Sequence, residues 1–535
     1  MPCRCKEKKR HCKKGCDSSK HLKYIPRRPV QVTGQSRLPP TLDNLRLPSD
    51  PYTQRGLWTR NVADECWIAV NPCNPKNLII CTHQDVYSNS DVGVGFLSDV
   101  YLYSLDGGET WNYSDLVLSR SQGPTLKQSD QDFESASDPN VVFDYHGNAF
   151  AYAVSFNSNE NFEEANVYAK STDGGRSWTT VFHTTRDNGD FHFLDRPLMT
   201  ADPYRKNNIY ALTSDRQALV GLDDNLSIFQ KSIDGGNIFG PKIVAQTWDV
   251  TRRSWGERLH VLPSDDHPLV IITSVQYDED VGLGKLDAVC YRSFDIGDTW
   301  GPVINIYTGG VQVEATDPED TTQTWVSFAG GVTSAINQCN GYLYASWMDQ
   351  LANPNSLGPR IFISMSKDGG ATWLPQPLPL PGAPAPVQQF CNALAVNENG
   401  TVGMLYYDFR NYTGPGDPNG LSTDAWLALF DKNLNFLGEV RLTPQSFDIR
   451  QVFWVRPTAR FLADYVCLTS SGNDFHASFP TTNLSLNGTQ NTNPFPLSES
   501  EITIVPPISE SEETGQPQLV RQFNTYVKVT GSVKC

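Results

Sequence analysis

The chain has 535 residues, with 43 Lys/Arg against 59 Asp/Glu and a formal net charge of −16. That length admits several ordinary domains or one large repeat domain, and the acidic balance argues against nucleic acid as the main partner. No run of eighteen apolar residues occurs, so no transmembrane helix is expected.

Residues 1–28 hold eleven Lys/Arg against two acids, about +9, which leaves about −25 on the rest. No apolar segment follows this basic start, so a conventional secretory signal is not expected; an extracellular or surface-associated place is favoured. Residues 1–50 read as a basic, largely irregular N-terminal arm that either attaches to a surface or partner or stays solvated. The arm carries Cys3, Cys5, Cys12 and Cys16 in a C-x-C-x6-C-x3-C spacing that fits no common zinc pattern, which leaves cross-linking, metal binding and plain thiols open. Further on, Cys66 and Cys81 flank one hairpin, a placement open to a disulfide. Cys290, Cys339, Cys391 and Cys467 sit in apolar patterns and read as buried thiols.

From residue 66 a two-run pattern recurs, each copy being two short apolar runs joined by a polar turn. The copies are CWIAVNPCNPKNLIICTHQD (66–85), PNVVFDYHGNAFAYAVSF (139–156), PLMTADPYRKNNIYALTSD (197–215), RLHVLPSDDHPLVIITSVQYD (258–278), VTSAINQCNGYLYASWMDQ (332–350), NALAVNENGTVGMLYYDFR (392–410) and DYVCLTSSGNDFHASF (464–479). Behind the first five comes an octet: SLDGGETW (104–111), STDGGRSW (171–178), SIDGGNIF (232–239), SFDIGDTW (293–300) and SKDGGATW (366–373). A decayed copy, ALFDKNLNF, places Asp431 at the same point of the sixth unit. Asp-Gly and Gly-Gly suit tight hairpins, the Asp accepts bonds from amides just downstream, and the final aromatic starts the return strand. Each unit therefore reads strand, turn, strand, loop, strand, glycine turn, strand. Four short strands per 60–70 residues predict an all-β, six- or seven-bladed β-propeller of four-stranded antiparallel blades.

The propeller is expected over residues 51–486. LPQPLPLPGAPAPV (374–387) reads as a proline-stiffened link between blades, 487–520 as a surface excursion, and 521–535 as a strand that closes the ring.

The octets resemble the Asp-box, or bacterial neuraminidase repeat, of the sialidase superfamily. The resemblance covers roughly residues 55–480. It implies a propeller directed at glycans or glycoconjugates, and leaves open an exo-glycosidase or a non-catalytic, surface-anchored binding module, since fold alone does not fix the reaction.

Strand direction then locates a site. In a four-stranded meander the turns after strand three lie opposite the starts of strand one. The first-strand starts carry Asp64, Glu65, Asp138, Asp195, Arg196, Glu257, Arg258 and Asp464; the second-strand ends carry Asp85, Asp215, Arg216, Asp278, Asp349, Asp408 and Arg410. Converging on one mouth, these groups fit three uses: arginines clamping an anionic sugar beside a carboxylic acid, carboxylates holding a hard cation such as calcium, or mutual pairing at strand ends. The resemblance implies three arginines on the substrate carboxylate, a Tyr–Glu pair and an Asp acid. By predicted face alone, the candidates for these roles on this chain are Arg196, Arg258 and Arg410, with Asp195 and Asp408 beside them, Tyr407 with Glu257 or Glu65 as its base, and Asp138. The Arg-Ile-Pro-type motif of the first blade is missing; YIPRRP (24–29) comes too early and has Ile-Pro before its arginines.

Overall fold

The computed structural model describes residues 22–33, 57–89, 93–116, 118, 133, 135–157, 163–179, 182–186, 194–215, 224–249, 251–277, 285–311, 314–326, 331–350, 358–383, 386–452, 454–456, 459–482, 504–505, 518–519 and 522–533. Apart from one 3-10 turn at Ile449–Gln451, the regular structure among these residues is β.

Six repeat units each form an antiparallel sheet whose strands run in chain order from one edge to the other. Sheet I consists of Leu57–Val70, Leu78–Asn89, Gly93–Ser104 and Asn112–Tyr113. Sheet II has Ser135–Phe143, Ala149–Phe156, Glu164–Ser171 and Phe182–Arg186; sheet III has Leu194–Ala201, Ile209–Asp215, Asp224–Ser232 and Ile243–Asp249. Sheet IV has Arg252–Val261, Leu269–Tyr277, Lys285–Ser293 and Ile304–Val311; sheet V has Thr333–Ile336, Leu343–Asp349, Arg360–Ser366 and Leu378–Pro379. Sheet VI has Gln389–Val396, Val402–Asp408, Ser422–Phe430 and Phe436–Arg441. A seventh group pairs Cys467–Ser471 with Asp474–Thr482 and then with Gln522–Val533, whose other edge takes Leu22–Pro26 and Val30–Gln31. A small extra sheet joins 315–326 to 454–461.

Sheets of this length cannot bury both faces alone, so each packs on its neighbours. Ile79 and Cys81 of sheet I meet Val141 and Ala151 of sheet II, and Phe150 of sheet II meets Met199 and Ile209 of sheet III. Tyr210 meets Leu269 and Ile271, Val270 meets Leu343 and Ala345, and Ile363 shares a core with Met404 and Phe475. Ile68 and Leu78 of sheet I pack with Cys467 and Tyr526 of the seventh group. The arrangement is consistent with a β-propeller.

The octets are the turns between third and fourth strands. In the first, Ser104 Oγ donates to Asp106 Oδ1 at 2.8 Å, and the Glu109 and Thr110 amides donate to the same oxygen at 3.0 Å. Thr110 Oγ1 donates to Asp106 Oδ2 at 2.6 Å, and the Gly108 amide donates to Ser104 Oγ at 2.9 Å. Asp173, Asp295 and Asp368 repeat the pattern with Ser177, Thr299 and Thr372 as the hydroxyl donors. Asp234 lacks the last bond because Ile238 stands in the hydroxyl position. In the sixth unit Asn435 Nδ2 replaces the hydroxyl and donates to Asp431 Oδ2 at 2.8 Å.

The second glycine of each octet has a second task. A Cβ on Gly236 would lie 2.2 Å from Phe150 of the preceding sheet, and one on Gly297 would lie 2.2 Å from Phe229. Gly108 stands in the same relation to Tyr526 of the seventh group. The final aromatic plugs the same seam: Trp178 is 5.8 Å from Tyr101, Phe239 5.0 Å from Tyr168 and Trp111 5.3 Å from Tyr526. Each octet therefore fixes a hairpin and docks it on the previous sheet.

Several expectations change. Cys66 and Cys81 are both free, buried thiols rather than a disulfide; Trp67, not Cys66, stands opposite Cys81 in the strand pairing. Cys290, Cys391 and Cys467 are buried thiols, whereas Cys339 sits in the turn after Ile336 and is disulfide-bonded, as is Cys73. The proline-rich link supplies a strand, Leu378–Pro379, paired with Phe362 and Ile363. Leu22–Pro26 and Val30–Gln31 of the arm are strands. Cys3, Cys5, Cys12 and Cys16 lie outside the described residues, as do Arg216, Asp278 and most of 487–520; within that stretch Ile504–Val505 pairs with Gln518–Leu519.

Two adjacent glycines separate the two tasks. A methyl group added at Gly235 (φ 80°) would have only Lys170 Nζ within 4 Å, at 3.8 Å, whereas one at Gly236 (φ 76°) would meet the Phe150 ring. Gly235→Ala is expected to cost only the left-handed backbone penalty, about 1–2 kcal/mol. Gly236→Ala adds overpacking of about 1–3 kcal/mol. Chemical denaturation of both variants checks this; equal losses would contradict docking by the second glycine.

Candidate functional site

The charged end is built by a backbone irregularity that recurs in five of the sheets. Register between first and second strands breaks between Asp64 and Trp67, Ser137 and Asn140, Asp195 and Leu198, Trp255 and Arg258, and Phe390 and Ala393. At each break one residue takes a positive φ: Glu65 (47°), Asp138 (55°), Arg196 (49°), Gly256 (71°) and Cys391 (49°). Such bulges re-aim side chains, and a non-glycine residue held there costs about 1–3 kcal/mol. The octets lie at the other end: the Gly107 amide donates to Lys76 O and the Gly235 amide to Asn207 O, both in the turns between first and second strands.

Arg196 is 8 % exposed, with Nη2 at 2.7 Å from Asp464 Oδ2. Its guanidinium carbon stands 4.4 Å from the Trp255 ring and 5.3 Å from the Tyr465 ring. Burial opposes its charge, but Asp464, Asp138, Glu65 and Asp195 outweigh burial and hold its pKa above the usual value. Arg258 differs. Its guanidinium lies 4.6 Å over Trp67, and Nη1 donates to the Glu257 carbonyl at 3.1 Å. Burial and then the nearby Arg196 push its pKa down to about 10. Among the described residues no carboxylate comes within ion-pair reach of Arg258, so its charge is available to an anion.

Asp138 carries the complementary property. Burial, then Asp195, raise its carboxyl to about 6 against the opposing pull of Arg196 and His83. Glu65 is pushed well above the carboxylate range by burial and by Asp138, Asp464 and Asp64. Trp67, Asp138, Arg196, Arg258 and Tyr465 line a cavity of ≈ 20 Å³. That is room for about one water, so a single small group enters while the rest of a ligand stays outside.

Beneath lies a row across sheet I. Asp64 stands opposite His83, and His83 opposite Asp99. His83 Nδ1 is 2.7 Å from Asp64 Oδ1 and 3.4 Å from Glu65 Oε2; Nε2 is 3.5 Å from Asp99 Oδ1 and takes the Asp138 amide at 3.0 Å and Ser137 Oγ at 3.3 Å.

The structure brings Asp138, Asp195, Arg196 and Arg258 together with Asp64, Glu65 and Asp464. Other expected residues sit elsewhere. Gly256 takes the bulge in sheet IV, so Glu257 turns into a serine cage, accepting from Ser227, from Ser254 at 2.9 Å and from Ser214 at 3.5 Å. Tyr407 is in the core, its ring stacked on Phe390 at 5.6 Å and its hydroxyl donating to Pro480 O at 2.8 Å. Arg410 pairs with Asp408 at 2.6 Å and with Glu439, and covers Trp426 at 3.9 Å. Trp67, His83, Asp99, Trp255 and Tyr465 do not stand out in the sequence, though Trp67 and Trp255 lie within a few residues of a bulge and His83 lies in the strand paired with one.

No family model matches the chain, and no curated protein matches it. Among solved structures, a protein of unknown function from Dyadobacter fermentans is 12% identical over 74% of this chain and 96% of its own, with a TM-score of 0.43. An α-L-arabinofuranosidase from Fusarium graminearum is 12% identical over 66% and 93%, TM-score 0.40. The NanB sialidase from Streptococcus pneumoniae is 11% identical over 68% and 66%, TM-score 0.41. Likeness at this level carries no argument about activity.

The Arg196–Asp464 pair generates a stability test. Removing one partner of a buried ion pair costs about 3–5 kcal/mol. Arg196→Met is expected to lose that much in denaturant unfolding, and Asp464→Asn added to it to recover part. A loss below about 1 kcal/mol would show the pair to be a solvated one.

Proposed function

We propose that the chain closes as a seven-bladed propeller, with the Gln522–Val533 strand joining the seventh blade to the first, and that it acts on glycans ending in an anionic sugar. The observation that carries the functional reading is Arg258: a half-buried guanidinium over Trp67, without a carboxylate partner among the described residues, at the cavity shared by Asp138 and Arg196. Arg258 and Arg196 hold the anionic group, since guanidinium–carboxylate bonds are charge-assisted and favour planar, paired recognition. The sugar ring rests on Trp67 and Tyr465 outside the small cavity.

Asp138, with its pKa raised to about 6, is the general acid that protonates the leaving oxygen. Tyr465, rather than the Tyr407 expected from the sequence, lines the cavity and steadies the positive charge that develops on the sugar ring as the bond to the leaving oxygen breaks, after which water adds to the ring. A binding-only reading has one observation in its favour: two arginines, not three, converge on the cavity, with Arg410 committed to Asp408 and Glu439.

Release of the fluorophore from a fluorogenic sialoside tests the reading. Asp138 must be protonated to act, so kcat should fall as pH rises through about 6. Asp138→Asn should lower kcat about 10²- to 10⁴-fold. Arg258→Ala should lower kcat/KM about 10- to 100-fold, the worth of a charged hydrogen bond of about 1.5–3 kcal/mol. Binding of the sialoside without turnover, lost in Arg258→Ala, would select the binding module. Wild type indistinguishable from both variants would reject an anionic-glycan site.

A further inference from the structure

The carboxylates under the mouth outnumber the charges that could balance them. Asp64, Glu65 and Asp99 are 1 %, 4 % and 0 % exposed. Neither oxygen of Asp99 accepts a hydrogen bond, and neither does Asp64 Oδ2. A buried carboxylate without donors costs several kcal/mol unless a proton or a cation meets it. Arg196 makes its ion pair with Asp464, and only its longer-range field reaches Glu65.

One ligand atom from each of Asp64, Glu65 and His83 falls within 4.8 Å of the others. The bulge at Glu65 creates this arrangement: its positive φ places consecutive carboxylates on the same imidazole nitrogen, at 2.7 and 3.4 Å from Nδ1. We infer that Asp64, Glu65 and His83 form a divalent metal site, with His83 Nδ1 and one oxygen of each carboxylate as ligands.

The donor set selects the ion. Calcium takes six to eight oxygens, whereas one imidazole nitrogen with two carboxylates suits a borderline ion such as zinc, which binds three protein ligands and leaves a position for water. Asp99 then has a role. An imidazole that binds metal through one nitrogen carries its proton on the other, and that N–H commonly faces a carboxylate. Asp99 Oδ1, 3.5 Å from Nε2 and without a donor, is that carboxylate. The Asp138 amide, 3.0 Å from Nε2, is the contact that lengthens when the ring proton moves there. The site goes beyond the glycan reading, and its test does not pass through hydrolysis.

The test is calorimetric titration of Zn²⁺ into the full chain after chelator treatment and blocking of accessible thiols, with Ca²⁺ as a parallel arm. One saturable zinc per chain is expected, absent from His83→Ala and Glu65→Gln, and about 10- to 100-fold weaker in Asp99→Asn, the usual effect of losing an outer partner. Glu65→Gln keeps the volume of the side chain, so circular dichroism on it separates loss of metal from loss of fold if His83→Ala does not fold. No saturable zinc, zinc binding unchanged in the folded variants, or equally tight Ca²⁺ binding would each overturn the site. Zinc binding without glycan hydrolysis would leave this site standing and reject the catalytic reading.

Discussion

The charged cluster at the end remote from the octets depends on a strained backbone position repeated along the first strands of the sheets. A regular strand alternates its side chains between the two faces of its sheet, and in stacked sheets both faces are core. Nothing in that geometry gathers charged groups at one end of the sheets. The bulge does: at Glu65, Asp138 and Arg196 the chain takes a left-handed turn that a branched or charged residue adopts only at a cost. The sheets on either side supply the over-determination that keeps it there. Where the bulge falls on Gly256 instead, the following residues are redistributed, Glu257 to the seam and Arg258 to the cavity.

The two ends divide the work. At one end the octet aspartates accept bonds from serine, threonine and backbone amides, and the glycines at 108, 236 and 297 let their hairpins seat on an aromatic ring of the neighbouring sheet. Burial slightly opposes ionisation of Asp295, but the Thr299 hydroxyl and amide hold its pKa at about 2, so this turn keeps its charge across the working range. At the other end carboxylates are pushed the opposite way, because they are buried together. The same residue type is thus locked as an anion where it builds the fold and pushed toward its neutral form where carboxylates are buried together.

Much of this is legible in the sequence. The octets and the two-run patterns imply four strands per unit, and strand direction alone separates the glycine turns from the charged end. Asp138, Asp195, Arg196, Arg258 and Asp464 are visible as first-strand starts. Tyr407, Asp408 and Arg410 depart from expectation because the end of a second strand is not equivalent to the start of a first. Side chains there meet the adjacent sheet or the outer strands, as the Tyr407–Pro480 and Arg410–Glu439 bonds show. Tyr465 and His83 escape a reading of the sequence because their role comes from register: one precedes the last inner strand, and the other stands opposite Asp64 across a strand pair. The doublets in DEC, SDP and DRP are the signal that is present, a charged residue at the bulge, twice followed by proline.

The account stands on the proposition that these bulges present Arg196 and Arg258 to an anion at the end remote from the octets. A crystal structure of the full chain with a sialoside bound tests it most directly. The account predicts the sugar carboxylate within about 4 Å of both guanidinium groups, the usual ion-pair reach, over Trp67 and Tyr465. A ligand seated on the octet face, or one bound with Arg258 turned away from it, would contradict it.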